Sequence, residues 1–304
     1  RECSRALCRG PVATKLALTL RAAHILQAVG YDGRGAAAAE WNEYDIAPNA
    51  RWRDRIAHIE RIAVTQSDVR LAVSEKLVAY WRERFAYDGK RHVVVPCTLS
   101  SHHPRLYADR QTIQTRRKQL GFSPDGVVIC YSGSSADWQS LHLLDYWLGP
   151  IMERQSTVSL LMMSRANLDA LGIGREFSGR IRQVWVAPQE VAGYIAMAYY
   201  GFLMREGSVT NAVAAPTKFA EYLAAGLKIL ISPNLGDYSA LVQDHALGHV
   251  MTEPRSAPPL VPTSVEERER LIEFAHHRFS KSHYREAYRT LLLGLGPRAV
   301  GADK

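Results

Sequence analysis

The sequence predicts an α/β protein built from two Rossmann-like domains. Three observations lead there. First, from Asp109 onward short apolar runs alternate with helical stretches of crossover length, the signature of a parallel doubly wound sheet. Second, residues 1–95 repeat that alternation. Third, 304 residues are enough for two modest cores. The expected division is residues 1–95, residues 96–280, and a C-terminal helix and tail over 281–304.

In the first part, residues 13–23 read as a helix and Leu26–Tyr31 as a short strand. The strand is expected to end in a tight turn at Asp32-Gly33-Arg34-Gly35, where α/β sheets place ligands. Arg51–Ser67 reads as a helix with Ile56, Ile59 and Ile62 toward one side, and Arg70–Val73 as a strand. Ser74 is placed to cap the next helix, and Val93–Pro96 closes the domain as a strand. The stretch Pro96–Tyr107 reads as the interdomain connection.

In the second part the expected strands are Val127–Ser132, Val158–Met163, Ile181–Val186, Tyr200–Met204, Lys228–Ser232 and Gly248–Met251. Pro254–Pro262 reads as a surface connector, and Glu266–His277 and His283–Leu293 as the last helices.

Composition narrows the function classes. A net charge of +8 favours anionic partners, but no aromatic-basic repeat marks a nucleic-acid binder. The charge is compatible with a peripheral contact to an anionic membrane face. No apolar run has the length of a membrane span. Cys3, Cys8, Cys97 and Cys130 show no metal-binding spacing, which points to a reduced, cytoplasmic setting, with Cys97 and Cys130 at strand ends. His102-His103 and His276-His277 lack Cys or acidic partners at ligand spacing, so no metal is expected.

The most informative stretch is Ala215–Ser232: a loop, a helix opened by Pro216, a Gly226 stop and a buried strand. Lys218 and Glu221 share a helix face near the N-terminus. A cation there opposes the helix dipole, which is consistent with a bound phosphate. A carboxylate one turn deeper suits sugar hydroxyls. An ordinary amphipathic helix with solvated charges fits the same residues.

The run Pro216-Thr217-Lys218-Phe219-Ala220-Glu221-Tyr222-Leu223-Ala224-Ala225-Gly226 resembles the donor-site helix of glycosyltransferase family 4. The likeness spans the chain from Asp32-Gly33-Arg34-Gly35, with Glu40 or Glu43, to the last helices. It implies a GT-B fold whose first domain is incomplete, since the family carries several earlier strands and this chain begins at Arg1 rather than Met. It also implies a retaining, metal-independent transfer of sugar from a nucleoside-diphosphate sugar to a hydroxyl of a glycan or glycolipid, as in polysaccharide biosynthesis. No cofactor is implied beyond that donor.

By the same resemblance, Lys218 faces the donor diphosphate and Glu221 the ribose hydroxyls. Arg205, at a strand end, joins Lys218 in stabilising the leaving diphosphate. Gly133 and Ser134 form the phosphate turn, while Ser208, Asn211 and Thr217 contact the donor. Arg34 and Trp138 are cleft candidates. Two features depart from the family pattern. Val213 stands where many members carry a glutamate eight residues before Glu221, and no Arg or Lys lies between Ser134 and Ser140. No catalytic base is assigned. A non-catalytic nucleotide-sugar-binding partner subunit and a GT-B-fold sugar-nucleotide epimerase are the alternative readings.

Overall fold

The computed structural model describes residues 4–100, 110–133 and 140–295. It divides into two units: Arg1–Cys97 with Ser208–Ala215 and Ser282–Lys304, and Thr98–Gly207 with Pro216–Lys281.

The first unit holds a four-stranded parallel sheet in the order β1 (Arg5–Arg9), β2 (Ala28–Gly33), β3 (Val69–Ala72), β4 (His92–Val94). Side chains alternate across it. Val29 packs with Ala17, Leu18 and Ile62 of the covering helices, while Ala28, Val69 and Leu71 pack with Tyr284, Leu291 and Leu295 near the chain end. The helices are fixed locally. Pro11 opens Pro11–Ala22. Asn49 caps Ala50–Gln66 by accepting the Trp52 N–H. Ser74 caps Glu75–Phe85, as expected, by accepting the Leu77 N–H at 3.0 Å.

One expectation is corrected here. The strand expected at Leu26–Tyr31 runs through Asp32 and Gly33, so these residues belong to the sheet and not to a turn. Gly33 is there because Trp81 presses on the strand: a Cβ would lie 2.4 Å from its indole ring. Buried Asp32 is tolerated because it pairs with Arg34 at 2.8 Å and Arg9 at 3.3 Å. In addition β1, not anticipated, pairs along the whole of Arg5–Arg9.

The second unit holds a six-stranded parallel sheet with β5 (Val127–Ser132), β6 (Val158–Met163), β7 (Ile181–Gln183), β8 (Tyr200–Leu203), β9 (Lys228–Ile231) and β10 (Gly248–Val250). The order is β10-β9-β8-β5-β6-β7. Strands β5 and β6 match their expected bounds, because both are mostly apolar and buried on both faces. β7 ends three residues early: Trp185 is exposed, and its ring receives Arg165 rather than a neighbouring strand. Cys130 lies within β5, fully buried, and not at its end. Within the stretch read as a surface connector, Leu260 is buried in the core and its N–H donates to Gln155. No described helix is long and apolar enough to cross a membrane.

Candidate functional site

The strand order of the second unit locates a candidate site. The chain lays β6 and β7 on one side of β5, then returns to lay β8, β9 and β10 on the other. Connections therefore diverge beyond the carboxyl ends of β5 and β8, leaving the crevice where doubly wound sheets take ligands. Pairing between β5 and β8 is confined to Ile129–Tyr200 and Cys130–Gly201, whereas β5 and β6 pair over six residues.

Tyr222 fixes this crevice. It lies on the Thr217–Ala224 helix, fully buried, and its hydroxyl accepts the Ser132 N–H at 2.8 Å. The ring reaches that point only because β8 carries Gly201, whose Cβ would lie 2.2 Å from it. Ser132 and Gly133 thus emerge from β5 on a backbone held from below.

Arg205 follows β8 and is 7% exposed. Its N–H donates to the Ser232 Oγ at 3.1 Å, and its Nη1 to the Met204 carbonyl at 3.0 Å. Burial raises the Tyr131 and Tyr222 hydroxyl pKa values, and the Arg205 charge opposes both rises. Next to it, the Glu206 carboxylate pairs with His142 Nε2 at 2.9 Å and its N–H donates to Ser140 Oγ.

Lys218 and Glu221 are half-buried and form an ion pair at 2.5 Å. Lys218 is felt inside the sheet: burial pushes the Cys130 thiol up to about 12, and the lysine charge works against it. Thr217 is exposed at the start of the same helix. The second unit therefore brings Gly133, Arg205, Thr217, Lys218 and Glu221 to the carboxyl-edge side of the β5–β8 region, with two cations in it. Ser134 and Trp138 lie outside the described residues.

Ser208 and Asn211 belong to the first unit instead. Ser208 Oγ accepts the Asn211 N–H at 3.1 Å, capping the turn Val209–Ala212. The buried Asn211 amide donates to the Tyr44 hydroxyl at 3.1 Å. Glu43 accepts the N–H groups of Val209 and Thr210 at 2.7 and 3.0 Å. Val213 is buried, and its carbonyl accepts the Ser74 hydroxyl at 2.6 Å. Arg34, the cleft candidate of this unit, is paired with Asp32.

Residues that sequence reasoning passed over are Tyr222, Tyr44 and Glu60. Glu60 is 0% exposed on the Ala50–Gln66 helix and accepts the N–H groups of Ala37 and Ala38 at 3.1 and 2.7 Å, at the start of Ala37–Glu43. Among the described residues no cluster of His, Cys, Asp or Glu is arranged to hold a metal ion.

The architecture is the GT-B fold, as solved structures show. The glycosyltransferase WaaG, described as involved in lipopolysaccharide biosynthesis, superposes with a TM-score of 0.65 at 14% identity, over 93% of this chain and 81% of that one. Anabaena HepE, crystallised with UDP, gives 0.70 at 11% identity, over 94% and 78%. Sucrose-phosphate synthase from Thermosynechococcus elongatus gives 0.67 at 14% identity, over 95% and 74%. No protein-family model and no curated protein matches the sequence.

Proposed function

We propose that this chain is a glycosyltransferase of the family 4 type. It moves a sugar from a nucleoside-diphosphate sugar to a hydroxyl of a glycan or glycolipid, with retention and without a metal. The observation that carries this reading is the pairing of Lys218 with Glu221 on a helix tied to the end of β5, with Arg205 following β8. The chemistry needs positive charge where the diphosphate leaves, because negative charge grows there in the transition state. Arg205 and Lys218 supply it, while the Thr217 N–H, at the start of its helix, reaches the phosphate oxygens and Gly133, after β5, lets the backbone approach them. When Lys218 turns to the phosphates, Glu221 is released to accept the ribose diol. Ser208 and Asn211 act by holding the segment between Arg205 and Lys218. The HepE structures with UDP, and with UDP and glucose, support the donor class. The net charge of +8 supports a peripheral position on an anionic, cytoplasmic membrane face.

The test is a thermal-shift panel with UDP-, GDP-, ADP- and CMP-sugars on the wild type and Glu221→Ala. Donor at about 100 times its Kd stabilises by about 2.7 kcal/mol. One nucleotide class should raise Tm in the wild type and not in the variant, and turnover in EDTA checks the metal-free reading. A folded sample that responds to none of the four sinks the proposal.

A further inference from the structure

A second cavity lies at the opposite, amino-terminal edge of the six-stranded sheet, next to Asp125 before β5 and Tyr199 before β8. Its volume is about 650 Å³, within the range of small-molecule sites. Ile113, Val265 and Ile272 give it apolar walls.

Two guanidinium groups border it, both beside the Tyr199 ring. Arg117 sits 4.1 Å above the ring centroid and Arg268 at 6.0 Å. Arg117 is 5% exposed; it donates to the Met197 carbonyl at 2.6 Å and the Tyr199 hydroxyl at 2.7 Å. Its remaining nitrogen, Nη2, is buried with no partner. Arg268 donates to the carbonyls of Ala196, Ala198 and Ala225 at 2.8, 2.8 and 2.9 Å. Every one of these acceptors is neutral. Asp125 and Glu269 also line the cavity, yet neither is among the acceptors of Arg117 or Arg268. Burial first, and then Arg117, hold Arg268 down to about 10. Two cations crowded together and desolvated are costly unless an anion joins them.

We infer that this cavity is a binding site for an amphiphilic anion, a phosphate or carboxylate on a short apolar body, with the headgroup between Arg117 and Arg268. The site stands independently of the nucleotide-sugar reading, since it lies at the other edge of the sheet from Arg205 and Lys218. The apolar body lies along Ile113 and Ile272, and the headgroup supplies the acceptor that Arg117 Nη2 lacks.

The experiment is calorimetric titration of the full chain with hexyl phosphate, hexanoate, inorganic phosphate and hexanol, with and without UDP. Hexyl phosphate or hexanoate should bind saturably, more tightly than inorganic phosphate or hexanol, and UDP should not compete. The tighter of the two identifies the headgroup. Arg117→Gln should weaken binding by about tenfold or more. Should that variant fail to fold, half-buried Ile113 provides the second arm: Ile113→Glu should weaken binding about tenfold through repulsion, and Ile113→Gln should not. No anion binding, hexanol binding as tightly as the anions, competition by UDP, or equal affinity in Ile113→Glu and Ile113→Gln would each overturn the assignment.

Discussion

Glu60 carries the clearest titration consequence in the molecule. Its carboxylate takes the N–H groups of Ala37 and Ala38, which favours the charged form, but burial wins and raises its pKa from 4.5 to about 7. A carboxyl raised on folding holds its proton longer in the native state than in the unfolded one. Its stabilisation is complete below about 4.5 and is lost as pH rises through about 7. The amount at stake is about 3 kcal/mol at most. Denaturant midpoints of the wild type should therefore fall across that window relative to those of Glu60→Gln; parallel profiles would refute the assignment. Nothing in the sequence singles out this glutamate. It stands between Ile59 and Arg61 on a helix that reads as half-solvated, and its partners lie more than twenty residues away in the chain. Lys218 and Glu221 were legible because their relation is local, one helical turn.

At the scale of elements, Gly201 and the Thr217–Ala224 helix are a matched pair. Gly201→Ala drives a methyl into the buried Tyr222 ring, and overpacking of this kind costs about 1–3 kcal/mol. The variant should melt several degrees lower, and its nucleotide response should weaken as the helix shifts. An unchanged Tm would mean that the ring yields freely. The same scale shows what a linear reading can recover. Strands β5 and β6 were legible end to end, because a strand buried on both faces is written mostly in apolar residues. β1 was not, because an edge strand with Arg5 and Arg9 exposed shows no such run. Asp32-Gly33 looked like a turn because the residues that admit them to a strand, Trp81, Arg9 and Arg34, are brought to them by the fold.

Over the whole molecule, the chain leaves the second unit after Gly207 and re-enters it at Pro216. The segment between is anchored to the first unit through Glu43, Tyr44 and Ser74. Glu43→Ala removes the acceptor for two N–H groups, and limited proteolysis should then cut within Ser208–Ala215 sooner than in the wild type. An identical cleavage pattern would show that Tyr44 and Ser74 suffice. Ser208 and Asn211 have partners within this anchored segment and in Tyr44, and in the sequence a polar loop residue reads the same whether it binds a ligand or holds the loop.

The Tyr222 hydroxyl has a further effect. By taking the Ser132 N–H, it occupies the donor that another rung of the β5–β8 ladder would use. The tyrosine is in this sense a spacer inserted into an unzipped seam. The carboxyl end of the β5–β8 seam is therefore held unpaired by the protein's own side chain, with no ligand needed.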